Sequence, residues 1–455
     1  MLEFINKYLL GTAVPVSLTL TGVYFLFKLK FFPVTRFPTV VRSFKRNGKS
    51  SFGALALSLA GTLGVGNMVG VASAIFSGGF GAVFWMWVSA AVASVLKYAE
   101  ILLAMRHRTC SSEGFKGGAP YYIKSVLSKK FPAAGAAVAS LFALLCVINC
   151  FSMGAVMQTH AVSGAFELVF DAKKAVGGGI VAVLVAFVAV GGAKRITRLT
   201  SAMVPFMSLF YLLISLAVII PRAELLPEVF GRIFESAFSF ESAAGGVGGF
   251  LLSRSLRFGV MRGLFSNEAG CGTSPTAHIS SDSHPCEQGF MGILEVFIDT
   301  VLLCSMTAFA VMLRYDSLTS LAEKPMQAVI SAYSGAFSPA FGDFVEVMMA
   351  FMVFCFGFAA VSCLAHYAFE CLKFLPVKRP SRRIFALAYG TAAFAGAFVS
   401  SEAAWAVSDA TVGVMTLINL AILLFCRNEI GRETALYFDK KKNISDFDKK
   451  FTKYS

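Results

Sequence analysis

The sequence predicts an all-α polytopic membrane protein with about 11 transmembrane helices, because apolar runs of about 20 residues, long enough to cross a bilayer, recur along the chain. The composition agrees: 56% of the 455 residues are hydrophobic and 15% are charged, whereas soluble proteins average about 25% charged residues. Positive charge lies mainly in alternate segments between the apolar runs and at the end of the chain. Together these observations predict one membrane-embedded helical bundle.

The first predicted helix covers residues 7–27 and is interpreted as a retained span, not a signal peptide, because it lacks a basic leader and a clear small-residue cleavage site. The helix that follows, at 51–76, would be about 38 Å long if it were continuous. That length exceeds the roughly 30 Å hydrocarbon core and leaves room for an unwound turn. The remaining predicted spans cover residues 82–105, 132–167, 176–192, 199–220, 242–258, 288–313, 343–373, 383–400 and 405–426.

The distribution of charge predicts the topology. The formal net charge is +14. Basic residues lie at 28–49, 106–130, 194–198, 262 and 373–383 and in the tail after residue 427. Because basic loops face the cytoplasm, we expect a multi-pass protein of the cell (inner) membrane, with its N-terminus outside and its C-terminus in the cytoplasm. A nucleic-acid-binding protein is excluded, since the charge is divided among short loops between apolar segments.

The cysteines and histidines exclude a disulfide framework or a metalloprotein. Ten cysteines, scattered mostly inside apolar segments, include no Cys-x-x-Cys, and the five histidines show no metal-ligand spacing. The glycine-rich segment 263–272 lacks the lysine of a phosphate-binding loop. No nucleophile–base pair is evident either, so we expect no enzyme activity and no cofactor.

The predicted helix at 51–76 contains four glycines within ten residues. They are Gly61, Gly64, Gly66 and Gly70. Glycine weakens a helix interior, and an unwound turn in a membrane must be packed in protein or line a wet cavity. Thr62 and Asn67 flank the weakened turn, and the half-helix starting near Asn67 would direct free N–H groups at an anion such as a carboxylate. Close packing of two helices through Gly-x-x-x-Gly is the alternative.

The predicted span 242–258 is also weakened by glycines, at Gly245–Gly249. It runs out to in, whereas span 51–76 runs in to out, and each begins a set of five spans. Two weakened first helices in oppositely oriented halves are typical of inverted-repeat transporters. We therefore expect a five-plus-five inverted repeat preceded by one extra helix. The predicted parts are an N-terminal helix and loop (1–50), two repeats (51–241 and 242–426) and a basic cytoplasmic tail (427–455).

Polar side chains at membrane depth are candidates for function or for helix packing. Gln158 either joins helices or holds a polar ligand. Lys97 and Glu100 lie three residues apart and pair with each other or, as the alternative, with the next loop. Glu295 and Asp299 lie four apart and repel unless one is protonated or partnered, and they are candidates for a cation path.

Several motifs resemble those of the alanine or glycine:cation symporter family, the sodium:alanine type. Two are Gly-Thr-Leu-Gly-Val-Gly-Asn-Met-Val-Gly-Val-Ala at 61–72 and Gly-Leu-Phe-Ser-Asn-Glu-Ala-Gly at 263–270. The others lie at 81–87, 117–123 and 297–300. The resemblance implies a leucine-transporter-like fold of five plus five helices after one extra helix. It also implies symport of a small neutral amino acid, namely alanine, glycine and as further candidates D-alanine or serine, by a lipid-embedded protein that we expect to be a monomer.

The resemblance also implies the site residues. The substrate carboxylate would meet the N–H groups of Gly64, Gly66 and Asn67, beside Thr62, and Gln158 would face the ammonium group. Carbonyls at Gly246 and Gly248, in the second weakened span, would complete the amino-acid site. Sodium, the coupling ion, would be held by the carbonyls of Ala60 and Leu63 and by hydroxyl groups of the helix at 343–373.

The chain departs from the family pattern in the helix at 343–373. The family usually has Phe-Ser-Thr there, followed shortly by Trp, whereas this chain reads Phe358-Ala-Ala-Val-Ser-Cys-Leu-Ala365. Ser362 alone offers a hydroxyl for sodium, and Ala365 stands where the Trp is expected. Three alternatives follow: sodium-coupled transport, proton-coupled transport of the same substrates, and a transporter-derived amino-acid sensor without net transport.

Overall fold

A computed structural model of the protein describes residues 13–46, 48–112, 114–238, 254–376 and 381–451. In its first half the helices are α1 Val14–Lys28, α2 Phe32–Thr35, α3 Phe37–Arg46, α4 Lys49–Thr62, α5 Val69–Gly78, α6 Gly81–Arg106, α7 Ala119–Leu127, α8 Pro132–Asn149, α9 Gln158–Phe170, α10 Lys174–Val190, α11 Gly192–Ile219 and α12 Leu226–Phe238. A π-helical segment, Cys150–Met157, joins α8 to α9. A hairpin of β1 Thr109–Ser111 and β2 Gly114–Lys116 follows α6.

The second half is also helical. Its helices are α13 Arg254–Asn267, α14 Pro275–His278, α15 Pro285–Val296, α16 Ser305–Met312, α17 Tyr315–Leu318, α18 Pro325–Ser334, α19 Pro339–Phe374, α20 Arg382–Gly396, α21 Ser401–Phe425 and α22 Arg427–Phe451. A π-helical segment, Phe297–Cys304, joins α15 to α16. Short 3₁₀ turns lie at Val65–Asn67, Ile220–Leu225 and Thr319–Leu321.

Six helical stretches of the described residues are long and apolar enough to cross a membrane. They are Gly81–Arg106, Pro132–Phe170, Gly192–Phe238, Pro285–Met312, Phe341–Phe374 and Ala404–Phe425. The bent pair Lys49–Thr62 and Val65–Gly78 makes a seventh if it counts as one span. The fold class is therefore the predicted all-α polytopic one. The expected count of about 11 spans also needs shorter apolar helices such as α1 and α10.

Two predicted loops prove to be helical. The basic segment 194–198 lies inside α11, which begins directly after α10 because the left-handed backbone of Gly192 (φ 65°) reverses the chain there. The predicted outside loop 221–241 contains α12, whose Val229, Ile233 and Ala237 are buried at four-residue intervals. The charged side chains of α12 suggested a loop, but its apolar stripe packs against α6.

Helix α6 is the centre of the packing, with α13 and α15 lying along it. A Cβ at Gly259 of α13 would stand 2.4 Å from the Ala82 carbonyl oxygen, and one at Gly289 of α15 would stand 2.6 Å from the Tyr98 ring. Glycine at both positions therefore lets the backbones approach closely, as in other membrane helix pairs. This packing brings the polar residues of three helices into one buried cluster.

Candidate substrate and ion sites at the helix break

The break between α4 and α5 bends the helix axis by 61°. The last regular bond of α4 runs from the Leu63 N–H to the Leu59 carbonyl (2.7 Å). The next two N–H groups turn away: Gly64 donates to the Thr62 carbonyl (2.8 Å), and Val65 donates to Gln158 Oε1 (3.0 Å). In a continuous helix these two groups would bond the carbonyls of Ala60 and Gly61. The break therefore frees carbonyl oxygens on the α4 side.

The glycines of the break have different surroundings. A Cβ at Gly64 would lie 2.8 Å from Gln158 Oε1, whereas one at Gly66 would meet no atom within 4 Å. Position 64 thus requires glycine because Gln158 lies so close to it, whereas the backbone of Gly66 borders open space. The sequence predicted the weak turn from the glycine spacing but did not distinguish these two roles.

Gln158 reaches the break from the first residue of α9, directly after the π-helical segment. π-helical turns are rare and often occur at functional sites. The side chain is buried, and its carbonyl oxygen caps the Val65 N–H. An amide oxygen has two acceptor positions, so this contact leaves one for a ligand.

A cavity of about 560 Å³ opens beside the break. Four of the predicted substrate residues line it: Thr62, Gly64, Gly66 and Gln158. Its lining also includes apolar and polar side chains to which the sequence did not point. The apolar ones include Met153, Met157, Phe265 and Trp405, and the polar ones are His160, Glu167, Lys324 and Gln327. Phe265 and Trp405 meet edge to face, with centroids 5.7 Å apart.

Asn67 does not line this cavity. Its Nδ2 donates to Asp299 Oδ1 (2.7 Å), its N–H donates to the Gly64 carbonyl (3.4 Å), and its carbonyl accepts from Thr307 Oγ1 (2.8 Å). The structure thus places Asn67 behind the break, where it holds the turn, and not among the groups facing the cavity. Gly246 and Gly248 lie outside the described residues.

The three predicted sodium ligands are Ala60, Leu63 and Ser362. Ala60 is one of the residues whose carbonyl the break frees. Ser362 on α19 is fully buried, and its hydroxyl has no hydrogen-bond partner among the described residues. The neighbouring Cys363 Sγ donates to the Leu57 carbonyl (3.0 Å), which fixes α19 against α4. A freed carbonyl and an unpaired buried hydroxyl are oxygen groups of the kind that hold sodium at the ends of broken helices.

Lys97 joins three helices. Its Nζ lies 3.0 Å from Glu295 Oε1 and donates to the Asn267 carbonyl (2.7 Å). The expected pair of Lys97 with Glu100 is therefore corrected: the partner comes from α15, because the close approach of α6 and α15 brings Glu295 alongside. Glu100 instead accepts from the Gly272 N–H (3.0 Å) and from the side chain of Asn419.

Asp299 lies in the π-helical segment that continues α15, and it has hydrogen-bond partners of its own. Besides Asn67, it accepts from Ser266 Oγ (2.6 Å) and Thr300 Oγ1 (2.8 Å), both at Oδ2. Glu295 and Asp299 thus avoid mutual repulsion through different partners. Because Ser266 lies in the last turn of α13 and Asn67 lies in the break, Asp299 links the first broken helix to the second repeat predicted from the sequence.

A chain of buried polar contacts extends from Glu295 to α4. His278 Nε2 lies 3.6 Å from Glu295 Oε2, and His278 Nδ1 lies 2.6 Å from Gln288 Nε2. Ser51 Oγ, in the first turn of α4, donates to Gln288 Oε1 (2.6 Å). Local sequence offered no sign of this chain, since its members are far apart along the sequence.

Comparison with known proteins gives the family. The model of the Sodium:alanine symporter family matches residues 1–452. The amino-acid carrier protein AlsT of Bacillus subtilis is 33% identical over 450 residues, which cover 98% of this chain and 92% of that protein. The sodium/alanine symporter AgcS of Methanococcus maripaludis is 31% identical over 458 residues, which cover 97% of this chain and 98% of that protein.

The fold also has solved counterparts. A Na⁺-coupled sialic acid symporter in a substrate-bound outward-open state aligns with a TM-score of 0.55 at 14% identity, over 88% of this chain and 82% of that one. At this identity the likeness shows a shared fold. Together with the family match over nearly the whole sequence, it leads to one conclusion: the chain belongs to the sodium:alanine symporter family, and it is a multi-pass membrane transporter and not an enzyme.

Proposed function

We propose that this protein is a secondary active symporter that imports small neutral amino acids with sodium by alternating access. The substrates are alanine and glycine, with D-alanine and serine as further candidates. One observation carries the proposal: the broken helix α4–α5 opens onto a cavity of about 560 Å³ that Gln158 also lines. A discontinuous helix beside a cavity is the usual binding site of secondary transporters.

The polar groups of the break suit an amino acid. The start of α5 offers N–H groups and the positive end of a helix dipole to a carboxylate, and Val69 and Gly70 of α5 line the cavity. Gly66 exposes its backbone to the same space. On the opposite side, the second acceptor position of Gln158 Oε1 is available to an ammonium group. These contacts recognise the two groups that all amino acids share.

The apolar wall of the cavity selects amino acids that have a small side chain. A volume of about 560 Å³ is far more than alanine occupies, and it lies within the usual range of ligand pockets. We propose that Met153, Met157, Phe265 and Trp405 close around the substrate during the transport cycle. Methionine side chains are flexible enough to follow such a movement.

Sodium would bind next to the amino acid, between the carbonyls of Ala60 and Leu63 and the hydroxyl of Ser362. Proton-coupled transport is the second candidate, and the residues around Ser362 favour it: Ala359 and Ala360 offer no oxygen side chains for an ion. A sensor that binds without transport is the third candidate, for the same reason.

The arrangement in the membrane is part of the proposal. Alternate basic loops support a cell-membrane protein with an outside N-terminus and a cytoplasmic C-terminus. We further propose a monomer with two inverted repeats, at 51–241 and 242–426, in which one helical bundle rocks against the other. The polar cluster of Lys97, Glu295 and Asp299 would keep the broken helix and its neighbours together as one moving body.

Uptake of labelled alanine and glycine into proteoliposomes tests the proposal. Three conditions are compared: a sodium gradient, a proton gradient and no gradient. Accumulation under the sodium gradient supports sodium symport, and accumulation under the proton gradient alone supports the second candidate. Binding without accumulation under any condition supports the sensor, and neither binding nor accumulation rejects the amino-acid substrate.

A further inference from the structure

Among the residues that the structure describes, buried acidic side chains outnumber buried basic ones. The acids with at most 3% exposure are Glu100, Glu268, Glu295 and Asp299, and the one ammonium group buried to that extent is Lys97. A buried carboxylate needs a positive partner, several hydrogen-bond donors or a proton. Lys97 pairs with Glu295, so the other three must be stabilised differently.

Glu268 has the fewest donors of these three. Glu100 accepts from two described groups and Asp299 from three. Glu268 accepts one hydrogen bond, from Thr273 Oγ1 to Oε2 (2.6 Å), and its Oε1 has no partner among the described residues. As a carboxylate it would be poorly stabilised, whereas as a neutral acid it carries no charge to stabilise. The local structure therefore favours a bound proton on Glu268.

The backbone at Glu268 is strained and firmly held. Its φ of 50° lies in the left-handed region, which residues other than Gly, Asn and Asp rarely adopt. The Glu268 N–H bonds the Leu264 carbonyl (2.9 Å), and Asn267 Oδ1 accepts the Ala269 N–H (3.0 Å). Such strain persists mainly where it positions a functional group. Here it holds Glu268 next to residues that also line the substrate cavity.

A small pocket beside Glu268 shares two lining residues with the substrate cavity. Its volume is about 10 Å³, and its lining includes Glu268, Asn149 and Thr273. Met153 and Phe265 line both this pocket and the cavity. Its exposed surface is apolar, so it gives a water molecule no hydrogen-bond partner. Met153 and Phe265 therefore separate Glu268 from the water of the substrate cavity.

We propose that Glu268 is a proton-binding site of this transporter and exchanges its proton with water of the substrate cavity when Met153 and Phe265 move apart. In the closed arrangement the carboxyl group is protonated. When the two side chains separate, the O–H bond of Glu268 breaks, and the proton passes to water and leaves a carboxylate. Protonation of Glu268 thus accompanies the closing together of Met153 and Phe265.

Other ionisable groups face Glu268 from the surrounding helices. Lys97 and Glu100 lie on α6, and Glu295 lies on α15. Four cysteines and a tyrosine complete the set: Cys146, Cys150, Cys271, Cys363 and Tyr367. Lys97 is the one cation of this set, and its Nζ is already engaged with Glu295 and the Asn267 carbonyl. It therefore does not replace the proton.

Infrared difference spectroscopy tests the proton site without any substrate. Full-length protein in lipid vesicles is compared between acid and alkaline pH, and the carbonyl stretch of protonated carboxylic acids is followed. We expect a band that is lost at alkaline pH in the wild type and in Glu228→Gln, an exposed glutamate on α12. The same band is absent in Glu268→Gln and displaced in Glu268→Asp. Identical difference spectra for the wild type and both Glu268 variants would overturn the proposal.

The pH dependence of transport tests a consequence of this proton site. This second test rests on the proposed function. Sodium-driven alanine uptake by the wild type is expected to fall at alkaline pH with the slope of one proton. Glu268→Gln mimics the protonated acid, so its uptake is expected to be independent of pH, and Glu228→Gln follows the wild type. Parallel profiles for the wild type and Glu268→Gln overturn the inference. If the wild type takes up no amino acid, the proposed function fails, and the infrared result still decides the proton site.

Discussion

Gln158 joins the two sides of the helix break: its Oε1 accepts the Val65 N–H at 3.0 Å, and its amide fills the space where a Cβ at Gly64 would stand. The backbone of Gly64 (φ −104°, ψ −164°) is extended, a conformation that any residue can adopt. Glycine is therefore needed at position 64 because of its neighbour and not because of its own conformation. The two residues act as one unit, and this relationship can be tested.

Replacing Gln158 by alanine is expected to abolish alanine uptake while the protein remains in the membrane. The Val65 N–H would lose its acceptor in a buried position, which costs about 1–3 kcal/mol, and the cavity would lose its amide. Uptake per amount of protein and the thermal unfolding temperature are the measurements. Gln158→Glu serves as the control, because a protonated glutamate keeps an acceptor for Val65 and should lose less stability than Gln158→Ala. Near-normal uptake by Gln158→Ala would remove Gln158 from the site.

Gly64→Ala and Gly66→Ala are expected to behave very differently. The new Cβ at position 64 would lie 2.8 Å from Gln158 Oε1, so the glutamine must move and release Val65. The same change at position 66 meets no atom within 4 Å. We expect uptake to be lost in Gly64→Ala and the fold to be retained in Gly66→Ala.

A double-mutant cycle tests whether Gly64 and Gln158 act together. If Gly64→Ala works by displacing Gln158, the double variant Gly64→Ala with Gln158→Ala is no less stable than Gln158→Ala alone. Residues in contact commonly show such non-additive effects. Fully additive losses of unfolding free energy would mean that the two residues act independently.

The position of the break was predictable from sequence, because a cluster of glycines weakens a helix through purely local effects. The geometry of the break could not be predicted from the sequence. The 61° bend and the capping of Val65 by Gln158 depend on a residue 93 positions away. Asn67 shows the same limit: its sequence position suggested a group facing the substrate, whereas its contact with Asp299 depends on a distant helix.

The partner of Lys97 could not be predicted from helix spacing. Spacing identifies neighbours on one helix, and Glu100 was the nearest candidate by that rule. Glu295 becomes the partner because glycines on α15 let it approach α6. The cavity wall has the same origin, since Trp405 lies on α21 and Phe265 on α13, and no local pattern relates these residues. The charged surface of α12 had the opposite effect and suggested a loop where an amphipathic helix forms.

Lys97→Met is expected to destabilise the protein strongly. The change leaves Glu295 as a buried carboxylate without its cation, and breaking a buried ion pair in this way costs about 3–5 kcal/mol. Thermal unfolding in detergent measures the effect. In Lys97→Met with Glu295→Gln the unmatched charge is removed, so we expect part of the stability to return.

Lys174→Met is the matched control for Lys97→Met. Lys174 Nζ lies 3.4 Å from Glu167 Oε2, but both side chains are about half exposed. Exposed pairs contribute about 0–1 kcal/mol, so this variant should unfold close to the wild type. If Lys97→Met and Lys174→Met lower the unfolding temperature equally little, the buried cluster does not hold α6, α13 and α15 together.

Ser362→Ala is expected to weaken the dependence of uptake on sodium without lowering stability. The Ser362 hydroxyl is buried and has no hydrogen-bond partner among the described residues, so its removal breaks no protein contact. Loss of one ion ligand should raise the sodium concentration for half-maximal uptake roughly tenfold, equivalent to about 1.4 kcal/mol. Ser163→Ala is the control, because Ser163 on α9 is also buried with an unpaired hydroxyl and is not among the predicted sodium ligands. A sodium dependence that is unchanged in both variants would show that Ser362 is not a ligand, and the coupling ion must then bind elsewhere or be a proton.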